Sequence, residues 1–264
     1  MACLILSSII RAFPIFPILI SYSLLIPTTI SQNSPLLNHV CTNTSQNYTK
    51  DTTYAINLKN LIDDLFVKTP QNYLFAKESY GEGPNKVYGL AQCRSDISPD
   101  DCDYCLYDAR CKITQRCYKR SAIVWYDNCQ LKYSNVDFFG KIDNEDDFVM
   151  INVKNVSNSQ REKFRETSIG LLTDLSKQAS DKANKYMFAG GDKLFDEKKN
   201  VTIHGMALCT RDLTYDDCKK CLGNIVKELP IYNKTIYSVG ARVVGASCTV
   251  RYETYVFVNS RANV

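Results

Sequence analysis

The 264-residue chain has few of the side chains on which enzyme catalysis most often depends. It contains two histidines, and neither has a nucleophile pattern beside it. His39 is expected in a loose segment near the N-terminus, and His204 occupies a position within a structural motif. Two pairs of neighbouring carboxylates, Asp100-Asp101 and Asp216-Asp217, are explained as the first turns of helices. The sequence therefore predicts a protein that is not an enzyme and that holds no metal or other cofactor.

A strong excess of charge of either sign is also lacking. The chain has 32 basic and 28 acidic side chains, a formal net charge of +4, and no basic cluster. Binding to nucleic acid or to an anionic membrane is therefore not expected. After residue 32 no apolar run approaches the ~20 residues needed to cross a bilayer, so we expect no membrane span in the mature chain.

Residues 1–31 have the features of a secretory signal peptide. They carry one charge, Arg11, followed by an apolar run from residue 12 to 26 and a small-residue exit at 28–31. Prolines interrupt the run, and it lies at the N-terminus, so an uncleaved membrane anchor is the weaker alternative. The sequence predicts a secreted, extracellular protein.

Five Asn-x-Ser/Thr sequons agree with secretion, and some of them are expected to carry glycans on surface loops. The candidate acceptors are Asn43, Asn47, Asn155, Asn200 and Asn233.

The chain contains a duplication. The pattern C-x8-C-x2-C occurs in residues 87–106 and again in residues 203–222, with nine identities in twenty positions at an offset of 116. A second pair of similar blocks surrounds Cys129 and Cys248. Each repeat exceeds a hundred residues, far longer than solenoid periods. We therefore predict two similar domains, residues 32–142 and 143–264, joined through an acidic stretch at 141–147.

Each domain combines helical and strand-like patterns, which predicts an α+β unit. Apolar residues recur at helical spacing in residues 54–66 and 164–175. Strand-like segments are expected at 73–79, 87–93 and 121–134 in domain one, with equivalents in domain two. Glycine-containing turns are expected between the first two of these strands, at 81–84 in domain one and at 189–192 in domain two.

Secretion favours disulfides over zinc or redox chemistry for the cysteines. Ser98 and Thr214 are predicted helix N-caps, so the two cysteines of each C-x2-C lie on one helix face, where they rarely bond each other. Each is instead expected to bond a flanking segment. The predicted pairs are Cys93–Cys102, Cys105–Cys129, Cys209–Cys218, Cys221–Cys248 and, from the remainder, Cys41–Cys117.

Cys111 is the candidate for a free thiol. The chain has twelve cysteines, and removal of Cys3 with the signal leaves eleven, an odd number. Cys111 has no counterpart in the second repeat, and its expected state is a buried thiol. The alternatives are an intermolecular bridge or competition with Cys117 for Cys41. A zinc site built from Cys93, Cys102, Cys105 and Cys129 would be a different interpretation, but one C-x2-C per domain weighs against it.

The two cysteine blocks, the segments Tyr88-Gly89-Leu90 and His204-Gly205-Met206, and the strands Cys129-x3-Tyr133 and Cys248-x3-Tyr252 resemble one plant family. These are the cysteine-rich repeat secretory proteins with two ginkbilobin-homologous, or stress-antifungal, domains. The resemblance implies two tandem α+β domains, each with two helices packed on a five-stranded antiparallel sheet and stapled by disulfides. The same domain pair forms the ectodomain of cysteine-rich receptor-like kinases, whereas this chain resembles the free secreted branch.

The resemblance also implies a candidate sugar site in domain two. Single-domain ginkbilobin-type proteins bind mannose through an Asn after the first cysteine position, an Arg six residues before the last cysteine and a Glu five after it. Counted in this sequence, these are Asn152, Arg242 and Glu253, whose side chains supply mixed donors and acceptors. The alternative is a cross-strand ion pair between Arg242 and Glu253. The site is not expected in domain one, where the positions are occupied by Thr42, Ile123 and Ser134.

Two functions follow as expectations. The first is a defence or stress protein of the plant apoplast that acts as a protein-interaction module or extracellular ligand, with receptor ectodomains or similar secreted proteins as partners. The second is an antifungal lectin that binds a mannose-containing glycan through domain two. An open cleft joining Asn152, Arg242 and Glu253 would favour the lectin, and a broad apolar face between exposed strands would favour protein binding. Trp125 is expected in a core rather than at a sugar site.

Overall fold

Each half of the described chain forms the same α+β unit. The computed structural model describes residues 34–42, 45–198, 200–229 and 238–259, so the predicted signal peptide lies outside the described residues. Domain one contains β1 (Leu36–Cys41), α1 (Thr53–Gln71), β2 (Phe75–Tyr80), β3 (Val87–Cys93), α2 (Pro99–Arg116), β4 (Ser121–Tyr126) and β5 (Cys129–Ser134). Domain two contains β6 (Phe148–Ile151), α3 (Arg161–Ala179), β7 (Phe188–Asp196), β8 (Val201–Cys209), α4 (Tyr215–Glu228), β9 (Ala241–Val244) and β10 (Cys248–Glu253).

The two sheets have the same topology. The strand order is β1-β4-β5-β3-β2 in domain one and β6-β9-β10-β8-β7 in domain two, and the neighbouring strands pair antiparallel. Two helices pack on each sheet, which confirms the fold expected from the sequence. The segment read as one strand-like stretch at 121–134 forms two strands, β4 and β5, that meet in a tight turn.

The helix starts follow from the residues that cap them. The Ser98 hydroxyl accepts a hydrogen bond from the Asp101 N–H at 3.1 Å, and Thr214 does the same for Asp217 at 3.1 Å. These side chains satisfy a backbone donor that the first helical turn leaves free. Pro99 begins α2, a position where its missing N–H is not needed. Both predicted N-caps are confirmed.

Each domain has its core between its helices and one face of its sheet. Leu61 and Leu65 of α1 lie over Gly89 of β3, where an added Cβ would be 2.7 Å from Leu61 Cδ2. Leu171 and Leu175 cover Gly205 in the same way in domain two, with an added Cβ 3.0 Å from Leu171. The glycines of the two repeats are therefore needed for close approach of a helix to the sheet.

The opposite faces of the two sheets pack against each other, and we call this contact the domain seam. Its apolar centre is formed by Ile123 and Trp125 of β4 with Val244 and Ala246 of domain two. Trp125 is 2% exposed, so the expectation that it is buried is confirmed, but it is buried between the domains and not in a domain core. Strand β4 is apolar on both faces because each of its faces is covered.

Hydrogen bonds accompany the apolar contact across the domain seam. The Trp125 indole N–H donates to the Gly245 carbonyl at 3.1 Å. The Gln92 amide donates to the Cys209 carbonyl at 2.8 Å and accepts from the Arg211 N–H at 3.0 Å. A buried amide that is satisfied on both sides fixes the relative position of the two sheets.

Two local expectations from the sequence are wrong. His39, placed in a loose segment, lies in β1 and pairs with Val124 of β4. The turn expected at 189–192 lies inside β7. Gly190 is there for close packing, since an added Cβ would be 2.6 Å from Val258 of the C-terminal segment. Sequence spacing alone does not distinguish a turn glycine from one over which another segment passes.

Candidate functional site

Two of the three candidate sugar-binding residues are in contact. Asn152 follows β6, and its side-chain amide donates to Glu253 Oε2 at 3.1 Å. The Asn152 backbone N–H donates to the Gly240 carbonyl at 2.8 Å, and the Ser238 hydroxyl donates to the Asn152 carbonyl at 2.7 Å. Domain two has no cysteine at this point, and these backbone contacts position Asn152 in place of a disulfide.

Glu253 is buried beneath Gly240. Its side chain is 8% exposed, and a Cβ at Gly240 would lie 1.8 Å from Glu253 Oε2. Arg251 lies two residues earlier in β10, and its Nε is 3.5 Å from Glu253 Oε1. The carboxylate is therefore engaged by Asn152 and Arg251, and little of it reaches the solvent.

Arg242, the third candidate, is directed towards domain one. It lies in β9 opposite Arg251 of β10, and both guanidinium groups pair with Asp127, which follows β4. Arg251 Nη1 lies 3.1 Å from Asp127 Oδ1. The expected alternative, an ion pair between Arg242 and Glu253, is thus replaced by separate pairs with Asp127 and Arg251.

The environment of Asp127 keeps its carboxylate charged. Burial by itself would raise the pKa of Asp127, but the Arg242, Arg251 and Arg94 cations together outweigh it and hold that pKa below its usual value. The Arg251 and Arg242 side chains are 3% and 14% exposed. This arrangement is a largely buried ion-pair cluster that joins the two domains.

Beside this cluster, a cleft of about 870 Å³ opens between the two domains. Arg242, Arg251 and Asp127 line it, as does Tyr255, which is 50% exposed. Asn152 and Glu253 are not among the residues that line this cleft. The structure therefore brings the three candidate residues near one another without giving them a common opening here.

The corresponding positions of domain one serve structural roles. The Thr42 hydroxyl donates to the Ser121 hydroxyl at 3.2 Å, and the Ser134 hydroxyl accepts from the Val136 N–H at 3.1 Å. Ile123 is buried in the domain seam. These side chains do not provide the set of charged and amide groups that the resemblance associates with sugar binding.

The structure contains the five disulfides predicted from the sequence. In each domain, one cysteine of the helix bonds back to the end of a strand and the other bonds forward to the start of the last strand. Domain one has a further bond between residues 76 apart, which closes β1 onto the end of α2. The bonds are Cys41–Cys117, Cys93–Cys102, Cys105–Cys129, Cys209–Cys218 and Cys221–Cys248.

The prediction that Cys111 is a free thiol concerns the chain from which Cys3 has been removed. In the full chain, which has twelve cysteines, Cys111 is disulfide-bonded, and none of the described cysteines is free. Cys111 lies on α2, where it is half-buried. Its state in the chain without Cys3 stays a prediction.

Three of the five candidate glycan acceptors lie on the surface of the described chain. Asn47, Asn155 and Asn200 are exposed, in loops beside β1, β6 and β8. Asn43 and Asn233 lie outside the described residues. An exposed acceptor is what attachment of a glycan requires, and glycosylation at these positions stays a prediction.

The histidines lie in different domains. His39 is in β1, where burial, followed by the nearby Lys112 and Arg116 cations, lowers its pKa. His204 is in β8, paired with Glu253 of β10 and Asp192 of β7. The described residues contain no group of three or more His, Cys, Asp or Glu side chains placed to hold a metal ion.

A groove of about 610 Å³ between α1 and α2 of domain one was not expected from the sequence. Leu58, Ile62, Phe66 and Val67 of α1 provide its apolar wall, and Arg110 of α2 lies opposite. The signal was present in α1, whose apolar residues extend beyond the stripe that faces the sheet. We call this feature the domain-one groove.

The fold and its seam define a tandem protein made of two disulfide-stapled α+β domains. None of the helices in the described ranges is both long and apolar enough to cross a membrane. A family model for salt stress response/antifungal proteins matches residues 40–136 and 152–255. The chain belongs to this family, which confirms the resemblance stated from its cysteine blocks.

Individual relatives agree with this assignment. The chain is 44% identical to cysteine-rich repeat secretory protein 38 of Arabidopsis thaliana over 94% of this chain and 96% of that protein. It is 44% identical to an antimicrobial ginkbilobin-2-like protein of Castanea crenata over 85% of this chain and 89% of that protein. The solved tandem DUF26 ectodomain of the Arabidopsis thaliana cysteine-rich receptor-like protein PDLP8 matches with a TM-score of 0.70 at 25% identity, covering 84% of this chain and all of that one.

Proposed function

We propose that this protein acts in the plant apoplast as a non-enzymatic interaction module in defence or stress responses. Its relatives are named as secretory and antimicrobial proteins, and its fold is that of a receptor-like ectodomain. Under this proposal residues 1–31 are removed as a signal peptide and the exposed sequons carry glycans. Intact-mass measurement of the secreted protein, before and after endoglycosidase treatment, tests both processing steps.

The observation that carries the proposal is the engagement of Arg242 by Asp127 across the domain seam. A guanidinium that binds vicinal sugar hydroxyls must present free donors to them. Here those donors are directed to a carboxylate of the other domain, and the side chain is only 14% exposed. Because Arg242 is engaged within the protein, the geometry of this site supports a function in which partners bind to other parts of the surface.

Two binding measurements on the full secreted chain test this function. Purified ectodomains of cysteine-rich receptor-like kinases are the partner class, and biolayer interferometry should show saturable binding to at least one of them. Calorimetric titration with methyl α-mannoside and a glycan array should show no binding. Absence of ectodomain binding, together with mannoside binding that Arg242→Ala abolishes, would refute the proposal in favour of a lectin.

Mannose-type binding through domain two is the second candidate, favoured by the contact between Asn152 and Glu253. In this case Asp127 acts as an internal competitor for Arg242. Asp127→Asn should then release the guanidinium and strengthen mannoside binding, whereas Asp192→Asn, an exposed carboxylate on β7, should leave it unchanged. Equal titration curves for both variants would count against the lectin.

A further inference from the structure

The domain-one groove is an open apolar surface. Val67 is 53% exposed, and Phe66 is half-buried. Leu58 and Ile62 form the floor, where they also belong to the core of the domain. Tyr48 closes one side of the groove and packs against that core. A concave apolar site of about 610 Å³ between two helices has the size and position typical of binding pockets.

The duplicated domain shows that the fold does not require this surface to be apolar. Counting 110 residues from α1 to α3 superposes the buried positions of the two helices, so Tyr54 corresponds to Phe164. On the same count Phe66 corresponds to Ser176 and Val67 to Lys177. Domain two folds with polar residues where domain one has apolar ones. The apolar character therefore belongs to domain one and not to the architecture.

Charge at the groove is unbalanced. Its charged lining residues are Lys59, Asp63 and Arg110. Lys59 Nζ lies 2.7 Å from the Asp63 carboxylate and Arg110 Nη1 lies 3.4 Å from it, so two cations share one anion. A ligand with a negative group beside its apolar part would complete the pairing. Between α2 and α4 the repeats are offset by 116 residues, as the cysteine blocks show. The position of Arg110 is therefore occupied in domain two by Val226, which is buried in the core.

Aromatic side chains extend the surface beyond the groove. The Arg110 guanidinium lies 4.3 Å from the Phe66 ring centroid and 5.3 Å from that of Tyr107, which is 39% exposed. On the other side Tyr118, 44% exposed, lies 6.3 Å from Tyr48. Tyrosine and arginine around an apolar depression are typical of the anchor residues of protein interfaces. A small amphiphile filling the groove would leave these flanks uncovered, so the surface favours a macromolecular partner.

We propose that the domain-one groove binds an amphipathic segment of a protein partner. The apolar side chains of the partner segment enter between α1 and α2, and a carboxylate at the edge of the segment pairs with Lys59 and Arg110. This inference rests on the proposed interaction function and adds the surface and the chemistry of the partner.

A peptide selection on the full secreted chain tests the proposal. A phage-displayed library of random 16-residue peptides is panned against the chain and against two variants. Val67→Lys introduces the residue of domain two at an exposed position, and Val153→Lys makes the same change at a 94% exposed valine of domain two, as a control. Selected peptides should combine apolar residues with Asp or Glu. Their affinity should fall about tenfold or more in Val67→Lys, the scale of one interface anchor, and stay unchanged in Val153→Lys.

Charge reversal provides the second measurement. Arg110→Glu should weaken the selected acidic peptides by a similar factor, and replacing their acidic residue by Lys should restore binding to this variant. Circular dichroism confirms that each variant is folded. The proposal would be overturned by peptides that bind Val67→Lys as tightly as the wild type, or by selected peptides without an excess of acidic residues. Sodium dodecanoate that binds through Val67 in the absence of peptide binding would also overturn it. Receptor ectodomains that bind the wild type and Val67→Lys equally would remove the groove proposal while leaving the interaction function intact.

Discussion

The ion-pair cluster at the domain seam gives a direct test of how the two domains are held together. In Asp127→Asn the side chain keeps its size but loses its charge. Arg242 and Arg251 are then left without the carboxylate that both of them contact. Because these guanidinium groups are largely buried, water replaces the lost partner poorly.

The expected cost follows from burial. Removing one partner of a buried ion pair usually destabilises a protein by 3–5 kcal/mol. The Asp127 side chain is 21% exposed and an amide can still accept a hydrogen bond, so we expect a loss of about 2–3 kcal/mol. For a protein of this size that corresponds to a decrease of about 5–10 °C in Tm.

Trp125 allows separation of the two domains to be measured by fluorescence. It is the single tryptophan of the chain, and it lies at the domain seam with its indole bonded to Gly245. In urea titrations, tryptophan fluorescence reports separation of the domains, and far-UV circular dichroism reports unfolding of each domain. In Asp127→Asn the fluorescence transition should move to lower urea concentration and precede the change in circular dichroism.

Asp192→Asn, on the exposed part of β7, is the matched control and should behave as the wild type. Our interpretation of the seam is refuted if Asp127→Asn loses less than about 0.5 kcal/mol, the scale of an ordinary surface substitution. It is equally refuted if the two optical transitions stay coincident at a lower midpoint, because the cluster would then support the domains individually.

Two further predictions concern stability. Burial, and after it repulsion from Asp143, raises the pKa of Asp147 to about 7. Below about pH 4 the carboxyl is protonated in both the folded and the unfolded chain, so it costs no stability. As the pH rises through 7 the folded protein must hold the buried charge, and the free energy of unfolding falls. The free energy of unfolding should therefore be about 1–2 kcal/mol lower at pH 8 than at pH 5, after allowance for solvent at this half-buried group, and urea titrations of Asp147→Asn should lack this difference. Gly240→Ala should cost about 2–3 kcal/mol because its Cβ would overlap Glu253, whereas Gly223→Ala, in α4 with open space around it, should stabilise by about 0.5–1 kcal/mol. Equal melting temperatures for the two alanine variants would contradict that assignment.

Local patterns were sufficient for the repeated unit. The N-caps Ser98 and Thr214 and the spacing of the cysteines on a helix face are consequences of backbone geometry within a few residues. The doubled cysteine block identified the family, and the family supplied the sheet. The state of Cys111 after removal of Cys3 stays a prediction, because the chain with Cys3 and the chain without it differ in their number of cysteines.

The candidate site shows where local reasoning ends. The sequence placed Asn152, Arg242 and Glu253 at the positions that a related sugar site uses, and two of them do touch. It did not indicate that the third residue, Arg242, would form an ion pair with Asp127, which is more than a hundred residues away in the sequence. An ion pair between domains depends on how two sheets are oriented, and no periodicity within either strand records that orientation.

The sequence by itself determined the duplication, the α+β units, the disulfide pairs and the family, because each can be recognised from residue types and their spacing within one repeat or between the two. Only the tertiary structure decided that the two sheets meet through the faces that their helices do not cover. That contact buries Trp125 and directs Arg242 to Asp127. It also leaves the domain-one groove on the outer surface, where apolar side chains that the core does not need are available to a partner.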